Sequence, residues 1–80
     1  MKVFHYFGRC YILLTPQGEE YAMVRKVIDW WIIKKDEEVW HRVGPKVVEF
    51  LEKEISKETE VENISLSEDN ILNYLKMGLL

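Results

Sequence analysis

"TPQGEEYAMVRKVIDWWIIKK", residues 15–35, is the stretch on which the fold turns. Thr15 can cap a helix with its hydroxyl, and Pro16 has no N–H to lose at a first helical position. Glu19 and Glu20 then stand near the start and Lys34 and Lys35 near the end, the charge order a helix dipole favours. Tyr21, Val24, Ile28 and Trp31 recur at three-to-four spacing, with Met23, Val27 and Trp30 beside them. The pattern predicts one helix over 16–35. Trp30, Trp31, Ile32 and Ile33 make its later turns apolar nearly all round, so that such a helix needs burial on most sides.

Outward from this stretch, "KVFHYFGRCYILLT" is rich in the aromatic and β-branched residues that suit a pleated surface. Gly8-Arg9 at its middle predicts a tight II′ hairpin over residues 1–15, pairing Phe7 with Cys10. That register puts Val3, His5, Phe7, Cys10, Ile12 and Leu14 on one face, and Phe4, Tyr6, Tyr11 and Leu13 on the other. Both faces are largely apolar and need cover.

On the carboxyl side, Asp36, Glu37 and Glu38 read as another helix start, Val39–Val43 as either a short helix or a short strand, and Gly44-Pro45 as a break. Pro45 opens an amphipathic helix over 45–58, with Val47, Val48, Leu51 and Ile55 on one side. "TEVENISLS" reads as a linker or a short edge strand. Ser67 caps a last helix over 67–78, with Leu66 and Ile71 at staple spacing, Leu72, Leu75 and Leu79 continuing the face, and Gly78 as its stop. The expected architecture is α+β in a single small domain, residues 1–80: an amino-terminal hairpin, a long central helix and two shorter helices.

Eighty residues with 48% apolar content describe a folded chain near the size at which a core needs help from a partner, metal or disulfide. The single cysteine, Cys10, allows no internal disulfide, and the amino terminus has no signal-peptide pattern, which together point to a reducing cytoplasm. Asn63-Ile64-Ser65 fits a glycosylation pattern by chance in that setting. Asp29 and the shortness of the apolar run exclude a membrane span. Net charge is −3, and it is uneven: residues 1–50 hold eight Lys/Arg against seven Asp/Glu, residues 51–80 three against seven. No basic stretch of the kind that displaces counterions from a duplex is present, which disfavours nucleic acid.

Chemistry has few candidates. His5, Cys10 and His41 are three dispersed ligand types where structural zinc takes four in short pairs. A Cys10–His41 nucleophile pair lacks an oxyanion loop, and lone cysteines are commonly buried. The carboxylate clusters have dipole roles, Glu49, Lys53 and Lys57 read as a solvated face, and no phosphate-loop glycines occur. No cofactor or metal and no catalytic activity is expected.

"GRCYILLTPQGEEY", residues 8–21, is similar to the junction of wing strand and helix in winged-helix regulators of the PadR and MarR groups, which implies DNA binding. In those families the recognition helix lies upstream, where this sequence has seven residues before Gly8, so the resemblance carries no DNA-reading residue over. The surplus of apolar surface points instead to a self-associating interaction or regulatory module, a homodimer that adapts or inhibits a larger host or cellular protein; small accessory proteins of phage or viral origin fit this profile. Its expected interface is Trp30, Trp31, Ile33, Tyr6 and Tyr11. The alternative is a winged-helix-like DNA binder using Arg9, Arg25, Lys26, Arg42 and Lys46.

Overall fold

A computed structural model of the chain describes residues 2–7 and 9–77, with the side chains of these apart from Phe7 and residues 57–65. Six strands make one sheet: β1 (Lys2–Phe7), β2 (Cys10–Leu14), β3 (Glu20–Lys26), β4 (Asp29–Lys34), β5 (His41–Arg42) and β6 (Thr59–Ser65). Helix α1 (Pro45–Glu58) joins β5 to β6, and α2 (Glu68–Lys76) follows β6. The strand order is β5-β4-β3-β2-β1-β6; β6 runs parallel to β1, and all other neighbours are antiparallel.

The fold is α+β, but the long central helix expected over 16–35 is absent: those residues form the loop after β2, all of β3 and β4, and the turn between them. Each helical signal has a sheet counterpart. Thr15 Oγ1 accepts the Glu19 N–H at 3.0 Å and the Thr15 carbonyl accepts the Gly18 N–H at 3.0 Å. Pro16 and Gly18, whose φ is +85°, thus shape a hairpin loop rather than a first helical turn. Folding the hairpin back brings the two charge clusters together: Lys34 Nζ lies 3.3 Å from Glu19 and Lys35 Nζ 2.8 Å from Glu20. A pattern that complements a helix dipole therefore also complements a pair of strand ends.

Strand pairing explains the apolar run as well. Ala22, Val24, Trp31 and Ile33 share one face with Phe4, Tyr6, Cys10 and Ile12; Tyr21, Met23, Trp30 and Ile32 share the other with Val3, His5, Tyr11 and Leu13. Helix α2 covers the first face, where Leu66, Ile71 and Leu75 pack on Tyr6, Cys10, Ile12 and Ile33. Helix α1 covers the second, with Leu51, Val48 and Ile55 on Val3, Leu13, Met23 and Trp30. A sheet covered on both sides needs no alternation of polar and apolar residues, and this is why its strands read as continuous apolar runs.

The amino-terminal hairpin forms with Tyr6 opposite Cys10, one residue away from the expected pairing of Phe7 with Cys10. A one-residue shift changes which residues share a face, so Val3 and His5 join Tyr11 and Leu13 rather than Cys10 and Ile12. Gly8, on which the II′ turn depended, lies outside the described residues; Arg9 beside it has φ +64°. Within Val39–Val43, His41 and Arg42 form the short edge strand β5, and Glu37 belongs to a loop, where its carboxylate accepts the Lys34 N–H at 3.0 Å. Residues 59–65 form the other edge strand. Helix α1 occupies 45–58. Helix α2 starts after Ser67, whose N–H donates to Asn70 Oδ1 at 2.7 Å, and Leu66 and Ile71 are buried together as the staple spacing requires. Gly78 and Leu79 lie outside the described residues.

Candidate functional site

Chain direction gathers several segments at one end of the sheet. Strands β1, β3, β5 and β6 run toward it and β2 and β4 away from it, so the β1–β2 loop, the β3–β4 turn, the β5–α1 connection and the start of α2 all meet there. The Lys26–Glu68 ion pair at 2.8 Å ties the β3–β4 turn to α2, and the Arg42–Asp29 pair at 2.8 Å ties β5 to β4.

The β3–β4 turn is the most unusual of these segments. Lys26 pairs with Asp29, leaving the two-residue loop Val27-Ile28. Val27 has φ +53° and Ile28 is not at positive φ, the sign pattern of a II′ turn, whose first position normally takes glycine. A β-branched residue there is a genuine backbone outlier. Both side chains are also open to solvent, at 78% and 79%.

Beside this tip lies a groove of about 500 Å³, bounded by Ile28, Trp30, Val43, Pro45 and Val48, with Asp29 and Arg42 at one margin and Glu49 and Glu52 on the α1 side. Gly44, Pro45, Lys46 and Val47 line a shallower apolar depression next to it. Val47 and Phe50 on α1 are half exposed. Trp30 is only 2% exposed, held between Tyr11, 5.2 Å away ring to ring, and the Arg25 guanidinium, 5.5 Å from its ring centre. Burial pushes the Tyr11 hydroxyl pKa up, while the charges of Arg25 and Arg9 pull it down, so both guanidinium groups act on the groove's face of the sheet.

The five apolar residues expected at an interface are mostly inside the monomer. Tyr6 and Ile33 are buried under α2, Tyr11 and Trp30 under α1, and Trp31 is half-buried with the Lys26 ammonium 5.6 Å from its ring centre. Four of them are thus spent on packing the sheet against the two helices, while Trp31 keeps part of its surface open and Trp30 borders the groove. The five basic residues share one end of the sheet: Arg9 beside the β1–β2 loop, Arg25 and Lys26 at the end of β3 on opposite faces, Arg42 in β5 and Lys46 at the start of α1. Lys26 and Arg42 are held in ion pairs, and Asp29, Glu68 and Asp69 share the same end.

His5, Cys10 and His41 are not brought together. His5 stacks on Tyr11 at 4.5 Å, Cys10 is buried on the opposite face, and His41 lies on the far edge strand, 3.2 Å from Glu37. The Cys10 thiol donates to the Leu66 carbonyl at 3.1 Å, and burial, reinforced by the charge of Glu68, pushes its pKa up to about 11. Thiolate, the reactive form, is thereby suppressed. Elsewhere, the Tyr21 hydroxyl donates to Glu19 at 2.6 Å, holding the Glu19 carboxyl below its usual range and raising the Tyr21 pKa. The Lys34 N–H does the same for Glu37.

Sequence reasoning passed over Val27 and Ile28 because "RKVID" contains none of the residues that mark a tight turn. No helix among the described residues is long and apolar enough to cross a membrane. Comparison with known proteins yields no match: no family model, no curated protein and no solved structure is similar to this chain.

Proposed function

We propose that this protein is a non-catalytic interaction module that associates with itself and, in that state, binds and regulates a larger protein. The observation that carries the reading is the turn end, where two aliphatic side chains project from a strained loop next to a partly apolar groove. Strain held at an exposed position suggests a functional use, and apolar side chains rimmed by charge suit a protein partner. Light scattering on a sizing column over a hundredfold range of loading tests the self-association: a mass that rises to twice the chain mass supports it, and a constant single-chain mass refutes it.

A second reading, nucleic-acid binding, gains from the meeting of Arg9, Arg25, Lys26, Arg42 and Lys46 at one end. Against it stand the ion pairs of Lys26 and Arg42, and the carboxylates of the groove. Retention on heparin that falls steeply with salt favours this reading, because phosphate contacts release counterions; passage through the column at low salt removes it.

A further inference from the structure

We infer that the turn end is a two-fold self-pairing surface: the Val27–Ile28 tip of one copy enters the groove of the second copy, and the second copy's tip enters the groove of the first. The inference rests on the self-association proposed above and names the surface responsible.

The case begins with contiguity. A two-fold dimer uses the same patch on both subunits, so that patch must contain both a projecting and a receiving part. Here they adjoin, because Ile28 belongs to the exposed tip and also lines the groove. Charge supplies the second argument. On the groove's face the tip is flanked by Arg25 and, hydrogen-bonded to it through the Arg25 N–H and Arg9 carbonyl at 3.1 Å, by Arg9; neither has an ion-pair partner among the described residues. The receiving wall is acidic, with Glu49 and Glu52 from α1. Asp29 is already neutralised by Arg42, whereas Glu49 reaches Lys53 only at 3.8 Å, with both side chains largely exposed. Cations beside the tip and carboxylates beside the groove are complementary across a two-fold axis, and each copy presents both.

The same features disfavour other occupants. Phosphates of a nucleic acid meet the carboxylates of the α1 wall. A lipid surface accepts the tip but leaves the groove unfilled. The chain's second copy satisfies both.

The test uses two charge-reversed variants of the full chain, Arg9→Glu/Arg25→Glu and Glu49→Lys/Glu52→Lys. All four positions are solvent-exposed, and circular dichroism and thermal melts establish that each variant folds. In the first variant tip and groove are both acidic, and in the second both are basic, so each is expected to stay monomeric alone. An equimolar mixture makes both contacts attractive and is expected to restore the dimer mass. Ile28→Ser, which leaves the charges untouched, is expected to weaken self-association by about tenfold or more, as loss of an anchor residue does. A wild-type dimer that survives both charge reversals, or variants that remain monomeric on mixing, overturns this surface while leaving self-association standing. A wild-type chain that is monomeric throughout the concentration range overturns both.

Discussion

Val27 combines two features that selection for stability alone opposes: a β-branched side chain in the left-handed region and exposure of that side chain to water. Glycine or asparagine adopts this conformation with less strain. Val27→Gly is expected to stabilise the fold by about 1 kcal/mol, the relief of strain exceeding the extra chain entropy of glycine. Urea denaturation in an Ile28→Ser background at low protein concentration, where association is weakened, checks it; unchanged or lower stability means that the turn holds no strain to release. Cys10 gives a second expectation at this scale. Its folded pKa of about 11 lies above the ordinary 9.0, so the folded state retains a proton that the unfolded chain releases. The contribution of Cys10 is thus constant below pH 9 and declines as pH rises through 9 toward 11, by of the order of 2 kcal/mol. Comparing alkaline melts of the wild type and Cys10→Ala isolates this loss, since the variant lacks it. Ellman's reagent at pH 8 should react with the thiol slowly in the native state and rapidly in urea.

At the scale of elements, the β3–β4 hairpin makes Trp30 a core residue of one sheet face. Trp30→Ala is therefore expected to cost about 3–5 kcal/mol of folding stability, whereas Ile28→Ser should change stability little and association much. A denaturation midpoint for Trp30→Ala equal to that of the wild type contradicts the packing described for that face. The elements that were legible in the sequence are those with local punctuation: Pro45 and an amphipathic stripe for α1, Ser67 and the Leu66–Ile71 spacing for α2. The β1–β2 hairpin was legible as a hairpin but not in register, because the number of loop residues decides the pairing. The β3–β4 hairpin was not legible. Its turn carries Val27 and Ile28 where glycine or asparagine normally announces a reversal, and cover on both faces of the sheet erases the period of two. The candidate site followed the same division. The basic residues could be named from sequence, though only the strand directions bring them to one end, and the exposed tip stayed hidden with its turn.

The whole molecule is a sheet with a separate apolar cluster on each side, one under each helix. Dividing so short a chain between two clusters leaves each one small, which is a physical reason for further burial through a partner. In the proposed pairing, complementary charge at the turn end would make that burial sensitive to salt. Self-association is expected to weaken between 0.05 and 0.5 M sodium chloride as exposed pairs are screened, yet to persist at a reduced level because the tip is apolar; sedimentation at both concentrations measures this. Strengthening with salt instead assigns the contact to apolar burial alone.

The course of the chain through α1 has a further consequence. Strand β5 lies at one side of the sheet and β6 at the other, so α1 crosses between them before β6 can pair with β1. During synthesis strands β1–β4 are made before either helix, and translating on from residue 34 to the end of α2 at residue 76 takes about 2–8 s at ordinary elongation rates. For that interval the nascent protein is an uncovered apolar sheet. Chaperone demand and aggregation in the cell should therefore respond to how quickly the carboxyl-terminal half is translated, even though the finished molecule is unchanged.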